Sequence, residues 1–208
     1  MCADTKSSYE TLIRHRVDIN PCLASFQMFL RKPQIHAKPC EISIIDYNRD
    51  GSQISSARTQ EWKGEIDSIS LTSISEQICG RLLIIEDISA SIISSLGTRL
   101  NIDPMFFANY ISTEFHNLED KPPPPSLALF PSYWSSRSDM FHLQYQRVVD
   151  LGKGTIYNQT VATKTLGNVP RNVRRLPGLQ RRHIGIARGC CSVWMKKIVN
   201  TWICMTLS

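Results

Sequence analysis

The densest chemistry in this chain is cationic. The stretch RNVRRLPGLQRRH carries Arg171, Arg174, Arg175, Arg181 and Arg182. Guanidinium groups at this density suit phosphate or carboxylate partners, because each planar fork can donate two parallel hydrogen bonds to an oxyanion. Trp194 and Trp202 follow, and a basic patch near aromatics is one footprint of a nucleic-acid surface. No recognised binding motif accompanies it, and no aromatic interleaves with the arginines. The plainer reading is a basic loop that is solvated or touches phosphate. His183, Cys190, Cys191 and Cys204 are metal-binding residue types at none of the usual ligand spacings. Strand alternation sends Cys190 and Cys191 to opposite faces, so the cysteines read as small core residues. Of the acidic pairs, Glu86-Asp87 reads as a strand-end charge with a helix cap, and Glu119-Asp120 as a solvated loop. There is no G-x-S-x-G, no P-loop and no dinucleotide glycine pattern, so a non-enzymatic role is expected.

The arginines belong to a wider charge asymmetry. The 208 residues hold 24 Lys/Arg and 18 Asp/Glu, a net charge of +6. Residues 1–150 hold 14 of the cations and all 18 anions, so 14 − 18 = −4, whereas residues 151–208 hold 10 cations and no anion, so +10. Such a split implies an anionic partner for the last segment: nucleic acid, a membrane surface or the acidic first part of the same chain. No run approaches the roughly 18–20 apolar residues of a membrane span. The opening MCADTKSSYETLIRHR has neither a secretory apolar region nor a transit-peptide pattern. Seven cysteines with no C-x-x-C pair are expected to be reduced thiols of a cytoplasmic protein. Asn158-Gln159-Thr160 matches a glycosylation sequon, which matters only on secretion.

These residues need elements to position them. Residues 1–40 read as a poorly committed extension: YETLIRHR suits a turn or two of helix, LASFQMFL a short helix, and Pro21, Pro33 and Pro39 interrupt. From 41 to 150 the pattern is that of an α/β core. CEISIIDY reads as a strand and NRDG as a turn, with a returning strand in QISSARTQEW. RLLIIE reads as a buried strand. A helix capped by Asp87 or Ser89 follows, with Ile92, Ile93, Leu96 and Leu100 on one face and Gly97 as a mild weakness. Asp103 caps the next helix and Pro104 takes its first position, ahead of Met105, Phe106, Phe107, Tyr110 and Ile111. A Pro-rich loop at 121–126 breaks the pattern. DMFHLQYQRVVDLG reads as a strand with Phe141, Leu143, Tyr145 and Val149 on one face and His142, Gln144 and Gln146 on the other. Residues 151–208 read as a basic segment, with a long mobile loop from Lys153 to Arg182 and two last strands in IGIARGCCSVWMKK and NTWICMTLS. The fold class implied is α/β, with α+β as the alternative: a mixed sheet with helices packed on it, incomplete towards its C-terminal end.

RLLIIEDISASIISSLGTRLNIDPMFFANYI resembles the soluble N-terminal domain of CorA-type magnesium transporters, most closely the fungal CorA-like branch. The marks are the apolar strand ending in Glu86-Asp87, the helix ending near Leu96-Gly97, and Ile102-Asp103-Pro104 followed by Phe106-Phe107-Ala108. PSYWSSRSDMFHLQYQRVVDL and CCSVWMKKIVNTWICMTL resemble later strands of that branch, so the likeness runs with gaps over 41–208. It implies a cytosolic α/β domain of a divalent-cation transporter, regulatory rather than pore-forming, since no stalk helix, membrane helix or Gly-Met-Asn loop is present. It also implies magnesium as the ion, Glu86 and Asp87 as cation contacts, and a homo-oligomer or a full-length CorA-like transporter as partner. The alternatives are a basic module binding nucleic acid or anionic surfaces, and a truncated product without an activity of its own.

Overall fold

The computed structural model describes residues 4–32, 38–54, 56–62, 75, 77–111, 139–152, 162–176, 183–198 and 200–208. Eight strands form one mixed sheet: β1 (Cys40–Tyr47), β2 (Arg58–Trp62), β3 (Gly80–Glu86), β4 (Met140–Asp150), β5 (Ala162–Lys164), β6 (Asn172–Arg175), β7 (Ile184–Ile198) and β8 (Thr201–Leu207). The order is β2-β1-β3-β8-β7-β6-β5, with β4 also paired to β7. Only β3 and β8 run parallel; every other pairing is antiparallel. β7 is long enough to hold three partners. Residues 192–198 pair with β8 and 185–187 with β6, while β4 pairs along 184–194 on the opposite edge.

Among the described residues four α-helices accompany the sheet: α1 (Asp4–Ile19), α2 (Ala24–Arg31), α3 (Ala90–Leu100) and α4 (Pro104–Ile111). The period-two rows of the strands show which face they cover. Ile42, Ile85, Leu207 and Ser192 lie side by side across four strands and are all fully buried. They meet Ile92, Ile93, Leu96, Phe106 and Phe107 of α3 and α4 in one core. Burying such side chains contributes roughly 2–3 kcal/mol each, so this layer carries much of the stability.

The expected α/β class, a mixed sheet with helices packed on it, is what the structure has. Ser89 is the cap of α3, accepting from the Ile92 N–H. Asp103 caps α4, its Oδ1 accepting from the Met105 N–H at 2.8 Å. Two expectations are corrected. Residues 4–32 of the N-terminal stretch are not loosely committed: α1 spans sixteen residues, and Tyr9, Ile13, Leu23 and Phe26 lie in the core. The Lys153–Arg182 stretch is not one long loop either, because β5 and β6 form a hairpin inside it that joins the sheet. The Pro-rich 121–126 loop, Glu119-Asp120 and Asn158 lie outside the described residues.

Candidate functional site

Glu86 and Asp87 do not act together. Glu86 is exposed at the end of β3, whereas Asp87 turns away in a left-handed conformation, φ 53°. The Asp87 Oδ1 accepts from the Asn168 N–H at 2.6 Å, and its carbonyl accepts from the Asn168 side-chain amide at 2.7 Å. Asp87 is thus a clasp for the segment leading into β6. Glu86 instead joins a row of carboxylates, because Glu41 pairs with both Glu61 and Glu86 across adjacent strands. Among the described residues no group of three or more His, Cys, Asp or Glu is arranged to hold a metal ion. Cys190 is buried on the helix-covered face and Cys191 is half-buried on the other, as alternation requires.

The arginines divide in the same way. Arg171 donates to the Tyr110 carbonyl at 2.7 Å and stacks 4.5 Å from the centre of its ring. A cation there offsets the negative end of the α4 dipole, so Arg171 acts as a C-terminal clamp on that helix. Arg175 donates to Nδ1 of His183 at 2.6 Å. Arg174 is exposed. Arg181 and Arg182 lie outside the described residues. The structure therefore consumes part of the basic segment in holding β6 and α4 in place.

Three features went unanticipated. The first is a buried ion pair: Nε of Arg81 lies 2.7 Å from Oδ1 of Asp46, and a second bond of 3.0 Å reaches Oδ2. The two side chains are 4% and 3% exposed, and Arg58 approaches the same carboxylate at 3.4 Å. The second is a Ser–His contact. Nδ1 of His142 lies 2.7 Å from Oγ of Ser192, and Cys190 Sγ lies 3.5 Å from that hydroxyl. This would resemble a base and nucleophile, but Ser192 is fully buried and the Phe106 ring packs 5.4 Å from the imidazole. No substrate reaches that hydroxyl in this arrangement, and burial pushes the His142 pKa down, favouring the neutral ring. The third is a cleft of about 260 Å³ whose lining includes Arg16, Asp103, Asp139, Trp194 and Lys196. Arg16 and Asp103 already pair at 2.8 Å, and Lys196 donates to the Leu100 carbonyl at 3.3 Å, so three of its four charged groups are engaged within the fold.

Among the described residues the second face of the sheet carries an unpaired apolar surface. One row there reads Ile45, Leu82, Cys204, Met195, and the next reads Ser43, Ile84, Thr206, Val193, Phe141. Leu143 and Tyr145 continue it along β4. Met195, Phe141, Leu143 and Tyr145 are 44–58% exposed, and among the described residues no helix or strand lies over this face. Two glycines of this face hold aromatic rings. The Trp202 indole covers Gly80 and the Tyr145 ring covers Gly189, so that a Cβ at either glycine would overlap them.

Compared with known proteins, the chain matches no family model, no curated protein and no solved structure. No described helix is long and apolar enough to cross a membrane.

Proposed function

We propose that this chain is a relative of the cytosolic domain of CorA-type magnesium transporters and works as a regulatory assembly domain, binding protein neighbours rather than transforming a substrate. The observation that carries this reading is the uneven cover of the sheet: helices cover one face around Ile42, Ile85, Leu207 and Ser192, and an apolar stretch of the second face through Met195, Phe141, Leu143 and Tyr145 stays open among the described residues. A large exposed apolar patch is a mark of a protein interface. What supports the family reading is the order from β3 through α4: an apolar strand, a capped helix, a tight turn and an Asp-Pro helix. Glu86 is the carboxylate this reading leaves for a magnesium ion shared with a neighbour, since Asp87 is engaged by Asn168. Sedimentation and thermal melting of the full chain, with millimolar magnesium and with EDTA, test it. Magnesium should raise both the assembly size and the melting temperature, and Glu86→Gln should weaken both responses. If neither quantity responds to the ion, magnesium sensing is lost from the proposal.

A further inference from the structure

The free edge of β4 offers a second contact, separate from the broad apolar face. The Met195 N–H donates to the Asp139 carbonyl and the Leu151 N–H to the His183 carbonyl, each at 2.7 Å. In an antiparallel ladder these bonds recur at every second residue. Odd-numbered residues of β4 therefore turn their backbone groups towards β7. Met140, His142, Gln144, Gln146, Val148 and Asp150 turn theirs outward, where no described strand receives them. Such an edge is a template for another strand unless it is short, bulged, charged or interrupted by proline. β4 has eleven residues and no proline, and its register with β7 is unbroken from 140 to 150. Its only charges are Arg147 and the terminal Asp150.

We propose that β4 pairs edge to edge with β4 of a second copy of this chain, antiparallel and centred on Tyr145. Among the symmetric registers, this one uses the whole strand: Gln144 meets Gln146, His142 meets Val148, and Met140 meets Asp150. It forms about twelve ladder hydrogen bonds. It sets Arg147 opposite Leu143, so no like charges face one another, and the closed two-fold leaves this edge of neither copy open. The exposed Phe141, Leu143 and Tyr145 of both copies then form one continuous apolar band. The contact needs no metal and does not rest on the CorA-like reading, so it is tested in EDTA.

In sedimentation runs the full chain should be a dimer, and Tyr145→Lys, which places two ammonium groups at the two-fold, should be a monomer with its melting transition retained. Crosslinking fixes the register independently, on a background with the exposed Cys22 changed to Ser. Residues at the two-fold lie with Cα atoms about 4.5 Å apart, within disulfide range. Tyr145→Cys should therefore link into covalent dimers on oxidation, and Arg147→Cys, whose partner is Leu143, should not. If Tyr145→Lys fails to fold, the cysteine pair decides. The proposal is overturned by a chain that is monomeric at every concentration, by a dimer that survives Tyr145→Lys, or by Arg147→Cys linking as readily as Tyr145→Cys.

Discussion

Asp46 and Arg81 show how much one pair can matter. Both lie on the helix-covered face, directly opposite each other on β1 and β3, and two hydrogen bonds join them. Taking a charge out of water is costly, and a partner of opposite sign offsets that cost only while both remain. Arg81→Met should leave the Asp46 carboxylate with only the exposed Arg58 at 3.4 Å and lower stability by about 3 kcal/mol, read from urea unfolding. The double variant with Asp46→Leu should recover most of that loss, because a well-packed apolar pair often matches a buried ion pair. A single-variant loss below about 1 kcal/mol, the range of exposed pairs, would mean the site is wet. The pair was legible in principle. Asp46 keeps phase with Ile42 and Ile44, and Arg81 with Leu83 and Ile85. Glu86-Asp87, neighbours in sequence, face apart in space.

Gly97 acts at the scale of the element. It costs α3 about 1 kcal/mol of helix propensity against alanine, and propensity alone marks it as a weakness. The structure gives its use: the Tyr9 ring of α1 lies against the glycine backbone, where a Cβ would overlap it, and the Tyr9 hydroxyl reaches the Ile102 carbonyl at 3.0 Å. Gly97→Ala should therefore destabilise the chain by about 1–3 kcal/mol through overpacking, despite the propensity gain. In a Tyr9→Leu background the same change should become neutral or favourable; a loss of equal size there would remove Tyr9 as the cause. β1, β3, α3 and α4 were legible because their apolar periods and caps agree. α1 was not, because its charges lie among few apolar anchors and its place comes from contact with α3. β5 and β6 were not, because three and four residues carry too little pattern; pairing with β7 and the Arg171 and Asn168 clasps make them strands. The alternation of β4 was legible, but not its orientation. Phe141, Leu143 and Tyr145 face away from the helices, while His142 packs under Phe106.

For the whole molecule the consequence of that orientation is an apolar layer with one side covered. The native chain at neutral pH should bind a hydrophobic dye such as ANS without unfolding, since accessible apolar clusters recruit it. Changing Phe141, Leu143 and Met195 together to Ser should remove most of the signal while leaving the melting transition within a few degrees, because side chains already exposed contribute little burial. A silent native chain would mean that this face is covered in solution.

The parallel seam between β3 and β8 has a consequence in time. β8 is the bridge between two half-sheets, β2-β1-β3 on one side and β7 with its partners on the other, and it occupies residues 201–207. On the ribosome each half can be made and hairpin-paired, yet they have no shared strand until residue 207 has emerged. The join closes a loop of more than a hundred residues, the kind of distant contact that slows folding. From the emergence of residue 86 until β8 follows at 201–207, a nascent chain therefore carries an open β3 edge, a state exposed to misassembly and to capture by chaperones.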